Sequence, residues 1–224
     1  MNKGLQEFIG EIVQLELTGK KYIDGTVMDV GSDLTVVSQG SDYLYVPHLH
    51  VKSVRILNKE EIERDFVKQL GVPGIVLEEN LSFRKVLTNA KGMFIELYVS
   101  GDEILHGYIT SIMNNYFVFY SPIYKTMYIT LNHVKWLLPY QNNQRPYGLD
   151  VKNFPVQPTS FPLARTFEVQ VQKLKNELVV LNLGEENNPI GKVNGVVNNI
   201  LELETARKQA IYLNLHHIKS IYKV

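Results

Sequence analysis

The chain has 224 residues, with 23 lysines and arginines against 23 aspartates and glutamates. It is therefore formally neutral and lacks the bulk positive charge on which non-specific nucleic-acid binding draws. There is no cysteine, which excludes disulfides and thiolate metal or nucleophile chemistry. The opening stretch sets Glu7, Glu11 and Glu16 among its apolar residues, so it holds neither a signal-peptide core nor a membrane span, and a cytoplasmic protein is expected.

In chain order, Leu5, Phe8, Ile9 and Ile12 fall at helical spacing and predict a short amphipathic lead-in. Five β-rich segments follow at 12–17, 22–30, 34–38, 43–46 and 51–56, separated by Thr18-Gly19-Lys20, Gly31-Ser32-Asp33, Gly40-Ser41-Asp42 and the stretch around Pro47. Gly25 interrupts the second segment, where a missing side chain lets a strand coil tightly or approach its neighbour. Asn58 and Glu61 then mark a helix start, with Ile62, Phe66 and Leu70 on one face until Gly71 and Pro73. A second lead-in appears at Phe83, Val86, Leu87 and Ala90. Pro139, Pro146, Pro155, Pro158 and Pro162 predict an extended stretch. Tyr140, Tyr147, Phe154 and Phe161 pin it in places. In the last third, Phe167, Val169 and Val171 alternate as a strand would, whereas Phe167, Val171 and Leu174 fit a helix. Alignment with the earlier lead-ins favours the helix.

These segments recur because the chain says nearly the same thing three times. Tyr45 to Val54 (YVPHLHVKSV), Tyr128 to Leu137 (YITLNHVKWL) and Tyr212 to Ile221 (YLNLHHIKSI) share one pattern. Gly25, Gly107 and Gly191 align with the same spacing, about 82 positions and then about 84. The expected organisation is a module at 1–57, a helical connector at 58–82, a module at 83–138, a proline-rich connector at 139–166 and a module at 167–224. Units this small hold only a marginal core alone, so they are expected to lean on one another or on other chains.

A helix, a strand, a bent glycine-bearing strand, and a tyrosine-bearing strand running through a short turn into a last strand resemble the Sm-like (Lsm) barrel. The resemblance covers each module and leaves the connectors out. It implies a mainly β fold of three tandem five-stranded bent-sheet barrels, each with a short N-terminal helix. The PHLHVKSV, TLNHVKWL and NLHHIKSI endings look more like the small Sm-like domains of endospore-forming bacteria, some linked to the spore coat, than like the RNA-binding members. This adds the mother cell and the spore coat to the expected locations. RNA-binding members carry an aspartate and an asparagine around the second motif strand, and those places hold Gly31 and Thr35, Met113 and Phe117, and Val197 and Leu201. Base recognition in the family's usual mode is thereby disfavoured, although a basic groove with stacking platforms also holds single strands.

Several repeated residues invite chemistry. His50, His133 and His217, with His48 and His216 beside them, would make an open zinc site if the modules closed around a common axis. No carboxylate repeats beside them, and the simpler reading has each imidazole bonding backbone groups that its short turn leaves unpaired. Lys52, Lys135 and Lys219 would line a shared basic edge, or stand as solvated strand positions that discourage unwanted edge pairing. Tyr45, Tyr128 and Tyr212 are β-forming residues with one polar handle, and stacking on a base requires their exposure. Trp136 replaces Ser53 and Ser220 of the sister copies. It points to a contact of the middle copy alone, with the proline-rich connector or a partner.

No catalytic triad, phosphate loop or acid pair has a local signature. The expected protein is non-enzymatic, with no cofactor and no bound metal. It acts as a scaffold through protein partners or self-association by edge-strand pairing, a form of β-augmentation. Single-stranded RNA binding is the alternative, and an enzyme assembled across modules the third.

Overall fold

The computed structural model describes residues 2–58, 75, 80–101, 103–140, 146–148, 162–183, 185 and 189–224. The helix expected from Asn58 to Gly71 lies outside them from residue 59 onward, as does most of the proline-rich connector. The protein is mainly β, and its strand pairs are antiparallel. Among the described residues, no helix is long and apolar enough to cross a membrane.

Two compact units divide the chain. One comprises 1–97 with 135–144, the other 98–134 with 145–224.

In the first unit, α1 (Asn2–Leu5) precedes β1 (Ile12–Leu17), β2 (Lys21–Val30), β3 (Leu34–Gln39), β4 (Asp42–Pro47) and β5 (Val51–Ile56). These strands lie within a residue of the spans read from the sequence. The unit also holds α2 (Phe83–Asn89), β6 (Phe94–Tyr98) and β10 (Trp136–Pro139). The alternation in β1 buries Val13, Leu15 and Leu17, which join Leu5, Ile23, Val27, Val37, Leu44 and Val46 in one core. Strand order is β5-β1-β2-β3-β4-β10-β6. The sheet is not closed, because β4 takes β10 at its outer edge rather than β5.

The second unit holds β7 (Ile104–Ile112), β8 (Tyr116–Ser121), β9 (Lys125–Thr130), α3 (Phe167–Gln172), β11 (Leu178–Leu181), β12 (Ile190–Val197), β13 (Ile200–Glu204), β14 (Ala210–Asn214) and β15 (Ser220–Lys223). Its order is β7-β8-β9-β15-β11-β12-β13-β14, again open. In the ambiguous last third, Phe167 and Val171 share the buried face of α3.

The aligned glycines have one physical role. A Cβ on Gly25, Gly107 or Gly191 would stand 2.4, 2.0 or 2.5 Å from the carbonyl oxygen of Ser38, Tyr120 or Glu204 respectively, closer than real side chains approach. Two residues beyond each glycine the register shifts, at Val27/Asp29, Ile109/Ser111 and Val193/Gly195. The missing side chain lets the strand press against its neighbour, and the bulge then bends it.

Candidate interaction edge

Each unit contains one junction between successive sequence copies, and the two junctions are built alike. In the first unit, β4 pairs with β10, Tyr45 opposite Leu137. In the second, β9 pairs with β15, Tyr128 opposite Ile221. Both tyrosines are buried, at 0% and 9% exposure. Tyr128, Tyr116 and Val118 of the middle copy enter the core built by Phe167, Val171, Val179 and Ile221 of the last copy. The Tyr45 hydroxyl donates to the Ile75 carbonyl at 2.9 Å, and burial pushes its pKa up to about 12. Burial raises that of Tyr128 as well. Both phenols therefore stay neutral across the physiological range.

A second grip accompanies each strand pair. Ser32 N–H donates to Leu81 O at 2.8 Å, and Asp33 Oδ1 accepts from Phe83 N–H at 2.7 Å at the start of α2. At the aligned positions, Asn114 N–H donates to Arg165 O at 3.0 Å, and Asn115 Oδ1 accepts from Phe167 N–H at 2.8 Å at the start of α3. The loop before β3 or β8 thus satisfies an orphan amide at the entry of the next copy's helix.

The last copy carries the same apparatus, and among the described residues nothing occupies it. β14 pairs with β13 alone among the described strands. Tyr212, aligned with Tyr45 and Tyr128, is 67% exposed. Asn198 and Asn199, aligned with the two gripping residues, are exposed. The outward face of β13 and β14 presents Ile200, Glu202 and Tyr212, where the sister copies bury Leu34, Val36 and Tyr45, or Tyr116, Val118 and Tyr128. The signal was in the sequence: β3 and β8 open with the apolar-rich runs LTVV and YFVF and are buried on both faces, whereas ILELE of β13 alternates and covers one.

His50, His133 and His217 each end a short helical turn. The Nδ1 of His50 meets the Thr18 hydroxyl at 3.0 Å, and that of His133 meets the Thr130 hydroxyl at 2.7 Å. These imidazoles engage side-chain hydroxyls. His217 is exposed, and its carbonyl accepts from the Asn182 side-chain amide. Among the described residues no group of three histidine, aspartate or glutamate side chains is placed to hold a metal ion. His48 is buried where the sister copies have Leu131 and Leu215; its Nε2 meets the Thr35 hydroxyl at 3.0 Å and its Nδ1 has no partner. Burial lowers its pKa, against a smaller opposing pull from Asp33.

The three lysines have different surroundings. Lys52 is paired with Glu16 at 2.5 Å, and the hydrogen bond it donates holds that carboxyl below its usual range. Lys219 is paired with Glu185. Lys135, expected at a solvated position, is 8% exposed and lies over Gly19 in the turn between β1 and β2, because the pairing of β10 with β4 carries it there. Trp136 packs on the first copy's core together with Leu138, a contact the sequence did not specify. Thr35, Phe117 and Leu201, at the places of the RNA-binding asparagine, are at most 1% exposed. A Cβ on Gly31 would strike the Leu81 carbonyl at 2.2 Å.

Comparison with known proteins adds a lineage. A family described as the YwrJ third domain matches residues 166–221. Uncharacterized protein YwrJ of Bacillus subtilis (strain 168) is 39% identical over 98% of this chain and 99% of its own length. Spore coat protein B of the same organism is 25% identical over 143 residues, 64% of this chain and 35% of that protein.

Proposed function

The chain belongs to the YwrJ family, and from that premise we propose that it is a non-enzymatic scaffold that works through the edges of its sheets, in the structure or assembly of the spore coat. In this reading it is three tandem Sm-like five-stranded modules, each offering a tyrosine-bearing strand to the last strand of another module. The carrying observation is the exposed third copy of a junction used twice within the chain, with Tyr212 at 67% exposure. A strand edge left open and flanked by apolar side chains is a docking template for a further strand. The likeness to a spore coat protein supports the place of action.

A fluorescent fusion in a sporulating, endospore-forming host tests it. The intact protein is expected to collect on the coat of the forming spore, and the Tyr212→Pro variant, which removes the amide that β14 turns to its open edge and leaves the β13 ladder in place, to remain diffuse. A diffuse intact protein would sink the proposal. The burial of Thr35, Phe117 and Leu201 and the neutral charge favour proteins over RNA as partners. A salt-dependent complex with oligo-U or oligo-A would reverse that preference.

A further inference from the structure

We infer that β14 of one chain pairs with β5 of a second copy, antiparallel, with Tyr212 opposite Val54. The inference rests on the scaffold reading and names its first partner. In both internal junctions the motif tyrosine stands opposite the apolar residue that closes the next copy's motif, as Tyr45 does with Leu137 and Tyr128 with Ile221. The remaining tyrosine is Tyr212, and the remaining closing residue is Val54 on β5. Among the described strands β5 pairs with β1 alone, so its other side is an edge.

Continuing the register of β9 with β15, where Ile129 faces Ser220 and Met127 faces Tyr222, puts Leu213 opposite Ser53 and Ile211 opposite Arg55. One residue further, Ala210 meets Ile56. Opposite residues share a face, so Tyr212 and Ala210 join Val54 and Ile56 in one apolar stripe. Tyr212 and Ile56 are 67% and 50% exposed in the single chain, and the contact covers both. Asn198 and Asn199 stand ready beside this stripe for the second grip.

The contact is weaker than the internal ones for an identifiable reason. Glu202 sits next to Tyr212, cross-strand, where the sister copies bury Val36 and Val118. Covering a carboxylate costs more than covering a valine, so the chain stays separable and associates reversibly. A head-to-tail contact of this kind closes into a ring or grows as a filament, according to the rotation it imposes.

The absence of cysteine makes the register directly readable. Val54→Cys and Tyr212→Cys chains, prepared separately, mixed and mildly oxidised, are expected to give a mixed disulfide dimer, since directly opposite strand residues lie within bridging distance. Val54→Cys mixed with Leu213→Cys, one step out of register, is expected to give none. Light scattering of the intact protein should show mass rising with concentration. Glu202→Val should tighten association at least about tenfold, the scale of burying one valine side chain, and Tyr212→Pro, which removes an outward-facing amide of β14, should abolish it, with circular dichroism checking the fold of each variant. A single-chain mass at every concentration, without the mixed disulfide, would overturn the inference, while the coat-location experiment would still read the scaffold proposal. Association that ignores Glu202→Val and forms no Val54–Tyr212 bridge would overturn the register alone.

Discussion

Tyr128 and Tyr212 occupy the same place in the same motif, on β9 and β14 of the same unit, yet one is 9% exposed and the other 67%. Nothing in either strand's own hydrogen bonding explains this. Each pairs on one side with the preceding strand of its copy, Tyr128 opposite Val118 and Tyr212 opposite Glu202. The difference is what lies on the other side: β15 for β9, and no described strand for β14. The motif tyrosine thus belongs energetically to the next copy's core rather than to its own, and its exposure measures whether a next copy is present.

That comparison can be broken by substitution in one unit. Tyr128→Ala should destabilise by about 3–5 kcal/mol, the range for losing a buried aromatic, whereas Tyr212→Ala should change stability by less than about 0.5 kcal/mol. Urea unfolding at a concentration where the chain is monomeric reads both. Equal effects would mean that Tyr212 is covered in the free chain. A smaller version of the same contrast lies in the gripping loops. Asn115→Ala removes the acceptor for Phe167 N–H and should cost about 1 kcal/mol, while Asn199→Ala, at the open site, should leave the melting temperature almost unmoved.

The smallest effect concerns His48, which stands among leucine-bearing sisters. Its pKa in the folded protein lies below the ordinary 6.5 because burial disfavours the charged ring. As pH falls below that ordinary value, the unfolded chain takes up the proton first, so stability present at neutral pH is lost as pH drops toward the lower folded value. His48→Leu, carrying the residue type of positions 131 and 215, should flatten this part of the profile. An unchanged slope in the difference between the two proteins would show that the ring is solvated.

Much of the local structure was legible. The strands from Ile12 to Ile56 follow alternation and turn residues, both local signals, and the aligned glycines announced the close approach of neighbouring strands. The candidate site was half legible. The repeat singled out Tyr45, Tyr128 and Tyr212, but reading them as equivalent concealed that only one is exposed. The lysines misled for a related reason. Lys135 shares its spacing with Lys52 and Lys219 but is buried by the strand pairing of β10 with β4, a contact between residues some ninety positions apart.

The sequence by itself determined that one strand pattern is used three times, where its turns and bends fall, and that thiol chemistry is absent, because these follow from side-chain size, periodicity and inventory. Tertiary structure alone decided which strand edges are taken and which remain open. Backbone amides and carbonyls are the same in every strand, so the choice of partner is made by the packing of side chains that come together only when distant copies meet.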